Sequence, residues 1–194
     1  MADLIIKPSS GGSLKLQEDG GTDAISINTS GVATLANATI TAGTFPAGHV
    51  IQQVSALFDP GSSSIDSTST TYVATGLFLT ITPTSAGNDI VMNFHVNGML
   101  NSSSSGNTIL QIKRSINGGS YTDMGGSHDG FGFAHTYNTH ALSTGIVFTD
   151  TDFSSWTTGT IVYKLYFKTN NSSYTASVFR GNTDNCAWAM EIQR

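Results

Sequence analysis

The sequence predicts an all-β protein, an antiparallel jelly-roll β-sandwich preceded by an extended N-terminal β arm. Three observations predict it. Ser and Thr supply about a quarter of the 194 residues and Gly another 21, whereas the helix formers Glu, Lys and Arg are scarce. Apolar residues recur at every second position in one segment after another, and no segment has a helical period. Turn-forming residues bound those segments at intervals typical of sandwich strands.

Residues 1–45 hold no aromatic side chain before Phe45 and are dense in Gly, Ser, Thr and Ala, so they cannot close a core alone. Within them "TDAISINTSGVATLANATI", residues 22–40, alternates like a strand, turns at Ser30-Gly31 and alternates again. Ile25, Ile27, Val32, Leu35 and Ile40 are its apolar positions. Packed on nothing, they bury too little to offset ordering costs of about 1–2 kcal/mol per residue. Three copies wound about a common axis would cover them, and the small neighbours Gly, Ala and Thr allow close approach; the alternative is a flexible linker, against which the strict alternation of "AISIN" and "VATLA" argues. Upstream, Leu4, Ile5, Ile6, Leu14 and Leu16 flank the flexible "PSSGGS" and are candidate attachment residues, able to add strands or side chains to another surface.

Pro46 and Gly48 mark the boundary, and the globular domain is expected over 46–194. Its strand candidates are "HVIQQVSALF", "TYVATGLFLTIT", "DIVMNFHVNGML", "TILQIKRSI", "SYTDM", "HALSTGIVFT", "TIVYKLYFKT", "YTASVF" and "AWAMEIQ". In the third, Ile90, Met92, Phe94 and Val96 share one parity against Val91, Asn93 and His95, so one face is apolar and the other mixed. In the seventh, Ile161, Tyr163, Leu165 and Phe167 stand against Val162, Lys164 and Tyr166. Asn117-Gly118-Gly119 tolerates positive φ and is the strongest hairpin signal in the chain.

A hydrophobic share of 38%, with ten Phe, six Tyr and two Trp, is enough for a core despite low charge. A net charge of −5 without clustered Lys or Arg argues against nucleic-acid binding. The first residues lack the pattern of a secretory signal, and no apolar run reaches membrane-spanning length, so no membrane partner is expected. The single Cys186 lies in the apolar run "CAWAMEI" and reads as a buried thiol in a protein folded in a reducing cytosol.

Catalytic and cofactor motifs are absent: there is no nucleophile elbow, Walker loop, zincin motif or cysteine pair with metal spacing. Neither catalytic residues nor a cofactor is expected. "GGSHDGFGFAHTYNTH" gathers His128, Asp129, His135, Tyr137 and His140, and could ligate a cation if the side chains met in space. Its spacing fits no established metal motif, so these residues are candidate distal-loop contacts and no metal is assigned. Asp150 and Asp152 lack the Gly and the terminal Glu of a calcium loop and read as a turn followed by a Trp156 anchor. Tyr137, Trp156, Tyr174 and Trp188 could stack on sugars, although core or interface packing is their commoner fate. A polysaccharide-cleaving enzyme would need paired carboxylates across a cleft, and the sparse acids show no such pairing.

The arm "LIIKPSSGGSLKLQEDGGTDAISINTSGVATLANATITAGTFPAGHVIQ" resembles the N-terminal segment of small virion structural proteins of marine and cyanobacterial tailed phages. The closing "AWAMEIQR" is similar to the "AMEI"-like last strand of such proteins. The second half resembles the TNF/C1q-like jelly-roll modules that phages place on capsid decoration proteins and fibres. The resemblance implies a homotrimer on the virion surface, assembled in the host cytoplasm, that cements the major capsid protein. Three tethered arms would bind as a unit, because after one docks the others face effective concentrations of about millimolar. The alternative it implies is a short tail fibre or receptor-binding tip, bound to tail proteins and recognising host glycan. The chain has no collagen-like repeat and is too short for a long fibre shaft.

Overall fold

The computed structural model describes residues 14–17, 23–27, 33–35, 47–61, 63–124, 130–134, 142–180 and 184–194. The chain divides into two compact units, Met1–Thr44 and Phe45–Arg194.

In the first unit β1 (Leu14–Gln17), β2 (Asp23–Ile27) and β3 (Ala33–Leu35) form an antiparallel sheet with β2 in the middle. Leu14 stands opposite Ile27, and Leu16 opposite Ile25, which is itself opposite Leu35. Attachment candidates Leu14 and Leu16 and ribbon candidates Ile25, Ile27 and Leu35 therefore share the cross-strand rows of one sheet. Leu4, Ile5, Ile6, Val32 and Ile40 lie outside the described residues.

The second unit holds β4 (Val50–Phe58), β5 (Ile65–Ser67), β6 (Val73–Ile81), β7 (Asp89–Asn101), β8 (Thr108–Ile116), β9 (Thr122–Asp123), β10 (Gly132–Ala134), β11 (Leu142–Asp150), β12 (Ile161–Thr169), β13 (Ala176–Val178) and β14 (Asn185–Ile192). They form two antiparallel sheets. One runs β4-β14-β7-β11, with β13 and then β5 joining at the far end of β7; the other runs β6-β12-β8-β10, with β9 also paired to β8. Setting aside β9 and the β5–β13 pair that joins only the far end of β7, eight strands remain. The first pairs with the eighth, the second with the seventh, the third with the sixth and the fourth with the fifth.

Strand parity builds the core as the alternation predicts. Ile90, Met92, Phe94 and Val96 of β7 and Ile161, Tyr163, Leu165 and Phe167 of β12 are wholly buried, packed with Leu77, Leu79, Ile81, Leu110 and Ile112. The hairpin forms where the sequence places it: Asn117 (φ 52°) and Gly118 (φ 73°) both take left-handed backbone, and β9 folds back on β8. β5 and β10 are strands that the sequence pattern does not announce.

Two polar clusters hold the connections. At one, the carboxylate of Asp150, itself buried, accepts hydrogen bonds from Arg114 Nη1 (2.9 and 2.8 Å) and from the Tyr163 hydroxyl (2.7 Å). Arg114 also donates to the backbone carbonyl of Asp152, tying the turn after β11 to β8. Burial, the Asp150 charge and the hydrogen bond to it all push the Tyr163 hydroxyl up, so it remains a donor.

At the other, Glu191 accepts from Gln52 Nε2 (2.6 Å), Thr84 N and Oγ1 (2.8 Å each) and Asn88 Nδ2 (2.6 Å), fastening the β6–β7 connection to β14 and β4. Burial by itself raises the Glu191 carboxyl, but the donors from Gln52, Asn88 and Thr84 outweigh it and hold the group below the usual carboxylate value of 4.5. A folded-state value below the unfolded one stabilises the fold above about pH 4.5, and that stability is lost as pH falls through the folded value. Glu191→Gln is expected to lower stability at neutral pH by about 1–3 kcal/mol and to flatten the fall in melting temperature between about pH 6 and 3. Thermal melts across that range check both effects.

Candidate functional site: the two outward sheet faces

A strand in a two-sheet sandwich sends alternate side chains into the core and out to solvent. The two outward faces of this domain differ sharply in chemistry.

On the β4-β14-β7-β11 sheet the register aligns Leu57, Cys186, His95 and Gly145 in one row, Ser55, Trp188, Asn93 and Val147 in the next, and Gln53, Met190, Val91 and Thr149 in the third. These three rows hold no Asp, Glu, Lys or Arg. Leu57 and Val147 are 78% and 65% exposed, large apolar groups left in water by a face with no charge to solvate it. The first charges appear in the next row, where Arg194 pairs with Asp89 (2.6 Å). Along β14 the inward residues are the small Ala187 and Ala189, and the larger Cys186, Trp188 and Met190 take the other parity. This corrects the expectation for Cys186: its thiol is half-buried on the outward side and does not belong to the core. The run "CAWAMEI" is apolar on both parities, so hydropathy alone could not orient it.

The face continues around the sheet edge. Between the edge strands β4 and β6 lies an apolar groove of about 310 Å³ lined by Val54, Leu57, Phe58, Leu77, Phe78 and Leu79 together with small neighbours. No titratable side chain lines it, so it offers neither an acid nor a base to a reaction.

The outward side of the second sheet is cationic and aromatic along β12, whereas on β8 Ile109, Gln111 and Ser115, which share the parity of Lys113, are buried. Phe78, Lys164, Lys113 and Asp123 form one row across β6, β12, β8 and β9. The Lys113 ammonium lies 2.9 Å from Asp123 Oδ1 and over two rings, 5.0 Å from the centroid of Tyr166 and 5.2 Å from that of Tyr72. Lys164 sits over Tyr121 (5.0 Å) and Phe78 (5.8 Å), and Lys168 over Tyr72 (4.6 Å). Tyr121 meets Tyr166 edge-on, with centroids 6.0 Å apart. The parity of Lys164 and Tyr166 is legible in the sequence; their partners on β6, β8 and β9 depend on a register that no local pattern reveals.

Other candidates resolve differently. His128, Asp129, His135, Tyr137 and His140 lie outside the described residues. Asp150 is engaged by Arg114 and Tyr163 rather than facing an open loop. Trp156 is buried, donates from Nε1 to Gly159 O (3.0 Å) and packs edge-on against Phe153, so it anchors its turn. Trp188 belongs to the uncharged face. Among the described residues no group of three or more His, Cys, Asp or Glu is placed to hold a metal ion. No protein-family model matches the sequence, and no curated protein matches it.

Proposed function

We propose that this protein is a homotrimeric virion structural protein of a tailed phage, a capsid decoration protein whose N-terminal arm anchors it and whose jelly roll forms an outward knob. The single observation that carries the assembly is the uncharged face of β4, β14, β7 and β11. Trp188 and Met190 are residue types enriched at protein interfaces, Val147 and Leu57 add exposed apolar area beside them, and the absence of charge matches a partner equally free of charge. Adjacent copies of the chain packed around a threefold axis meet that requirement without any further protein. The pairing of first strand with eighth, second with seventh, third with sixth and fourth with fifth supports the jelly-roll assignment. The capsid location rests on the resemblance of the arm, and the role needs no catalytic residue.

Sedimentation of the full chain tests the assembly. A species of three chains is expected, and Val147→Glu should raise its dissociation constant at least 100-fold by burying an unpaired carboxylate at each contact. Since Val147 is exposed within the single chain, the variant should keep the wild-type far-UV spectrum. A wild-type monomer, or a variant that still trimerises, would remove the uncharged face from the proposal. Mass-spectrometric counting on purified particles tests location: hundreds of copies fit the capsid lattice, and a few dozen or fewer would favour the tail.

A further inference from the structure

We propose that the outward face of β12 and the adjoining β6 binds a linear acidic polysaccharide, with Lys164 and Lys168 contacting its carboxylates and Tyr121 and Tyr166 stacking on its sugar rings. The inference holds whether or not the chain trimerises and wherever on a particle it sits. Its first support is a placement that folding alone disfavours. The chain has eight Lys and Arg against thirteen Asp and Glu, yet three of the eight crowd this face, and Lys113 stands directly opposite Lys164 on the neighbouring strand. Like charges so placed cost stability, and Asp123 compensates only the Lys113 side of the pair.

The second support is order. Each ammonium is held over one or two aromatic rings, so part of the rotamer freedom that a lysine loses on gripping a ligand is already lost in the fold. The third is spacing. Lys164 and Lys168 lie four residues apart on one strand, their Cα atoms about 13 Å apart at strand rise, a span that an extended chain of acids matches. Three cations are too few for tight binding to a nucleic-acid backbone, whose affinity scales with the phosphates neutralised. Fewer charges combined with aromatic surface suit a uronic-acid polymer. The net negative charge of the protein does not forbid this, because at physiological salt charges more than about 8 Å away are largely screened.

Calorimetric titration of the full chain with oligogalacturonate is the test, with neutral dextran and single-stranded DNA as comparison ligands. Oligogalacturonate should bind and dextran should not, and affinity should fall as salt rises. Lys164→Gln with Lys168→Gln should weaken binding at least tenfold, whereas Lys7→Gln with Lys15→Gln, which removes the same charge from the N-terminal unit, should leave it unchanged. Tyr121→Ala lies outside the strands, keeps the charge and should weaken binding several-fold; it serves if the double lysine variant fails to fold, as judged by its melt. Absence of oligogalacturonate binding, equal losses in the two lysine pairs, or DNA binding as tight as oligogalacturonate and indifferent to Tyr121→Ala would each overturn the proposal.

Discussion

Asp150→Ala is expected to remove about 3–5 kcal/mol from the unfolding free energy, because it leaves the guanidinium of Arg114 partly buried with no carboxylate and the hydroxyl of Tyr163 buried with no acceptor. Asp150 receives both groups on one carboxylate, so a single truncation disables the whole cluster. Urea denaturation with an unchanged slope is the measurement, since a changed slope would signal altered compactness. The comparison that isolates the cause is Arg114→Met with Asp150→Leu, which removes both charges. That pair should be markedly less destabilised than Asp150→Ala alone, because desolvating an ion pair offsets much of its attraction. Equal losses in the two variants would assign the cost to what they share, the packing around residue 150 and the Tyr163 hydroxyl left without its acceptor, and not to the stranded charge. Tyr163→Phe, losing one hydrogen bond, should cost about 1–2 kcal/mol.

Gly98→Ala is expected to be nearly as damaging, at about 2–4 kcal/mol. Gly98 has φ +67°, a conformation that costs any residue with a side chain, and a Cβ there would lie 2.0 Å from the backbone carbonyl oxygen of Arg180. The neighbour is main chain and cannot rotate away. It is held in place by the hydrogen bond from Arg180 N to Gly98 O (3.2 Å), at the point where the chain leaves β13 on its way to β14. A thermal melt of the variant within a degree or two of wild type would mean that this close approach relaxes freely.

Strand parity was the most legible property of the sequence. β12 along its length and β7 as far as Asn97 alternate strictly, each with one apolar face, so period two identifies their core residues there, and Asn117-Gly118 marks its hairpin because few other dipeptides accept positive φ at both positions. β5 is concealed in "SSSIDSTST", where a single Ile offers no alternation to detect, and β10 sits in a Gly-rich stretch that reads as loop. Cys186 was assigned to the wrong side for a physical reason. β14 places small Ala residues against the crowded core, and its large apolar groups face outward, the reverse of the usual size order. Glu191 adds to the confusion: it shares parity with Ala187 and Ala189, so a charged residue marks as outward the side that is buried, and the donors that let it be buried come from residues 52, 84 and 88, which nothing local to β14 foretells. The lysine and tyrosine face was half legible for the same reason: parity is local and register is not.

The pairing of the first long strand of the domain with its last also sets the order in which the protein can be made. β4 finds its partner only when residues 185–192 exist, more than a hundred residues later in synthesis. At translation rates of about 5–20 residues per second, β4 waits on the order of ten seconds with its ladder hydrogen bonds unmade. Contacts so distant along the chain also place the domain among slow folders, in the range of milliseconds to seconds once complete. During that interval the outward row of Ile51, Gln53, Ser55 and Leu57, apolar at its two ends, and the inward apolar row of Val54, Ala56 and Phe58 are both open to neighbouring chains. Its yield in a cell is therefore governed by the time before β14 arrives as much as by the stability of the finished fold, and slower translation or a crowded polysome should favour aggregation over assembly.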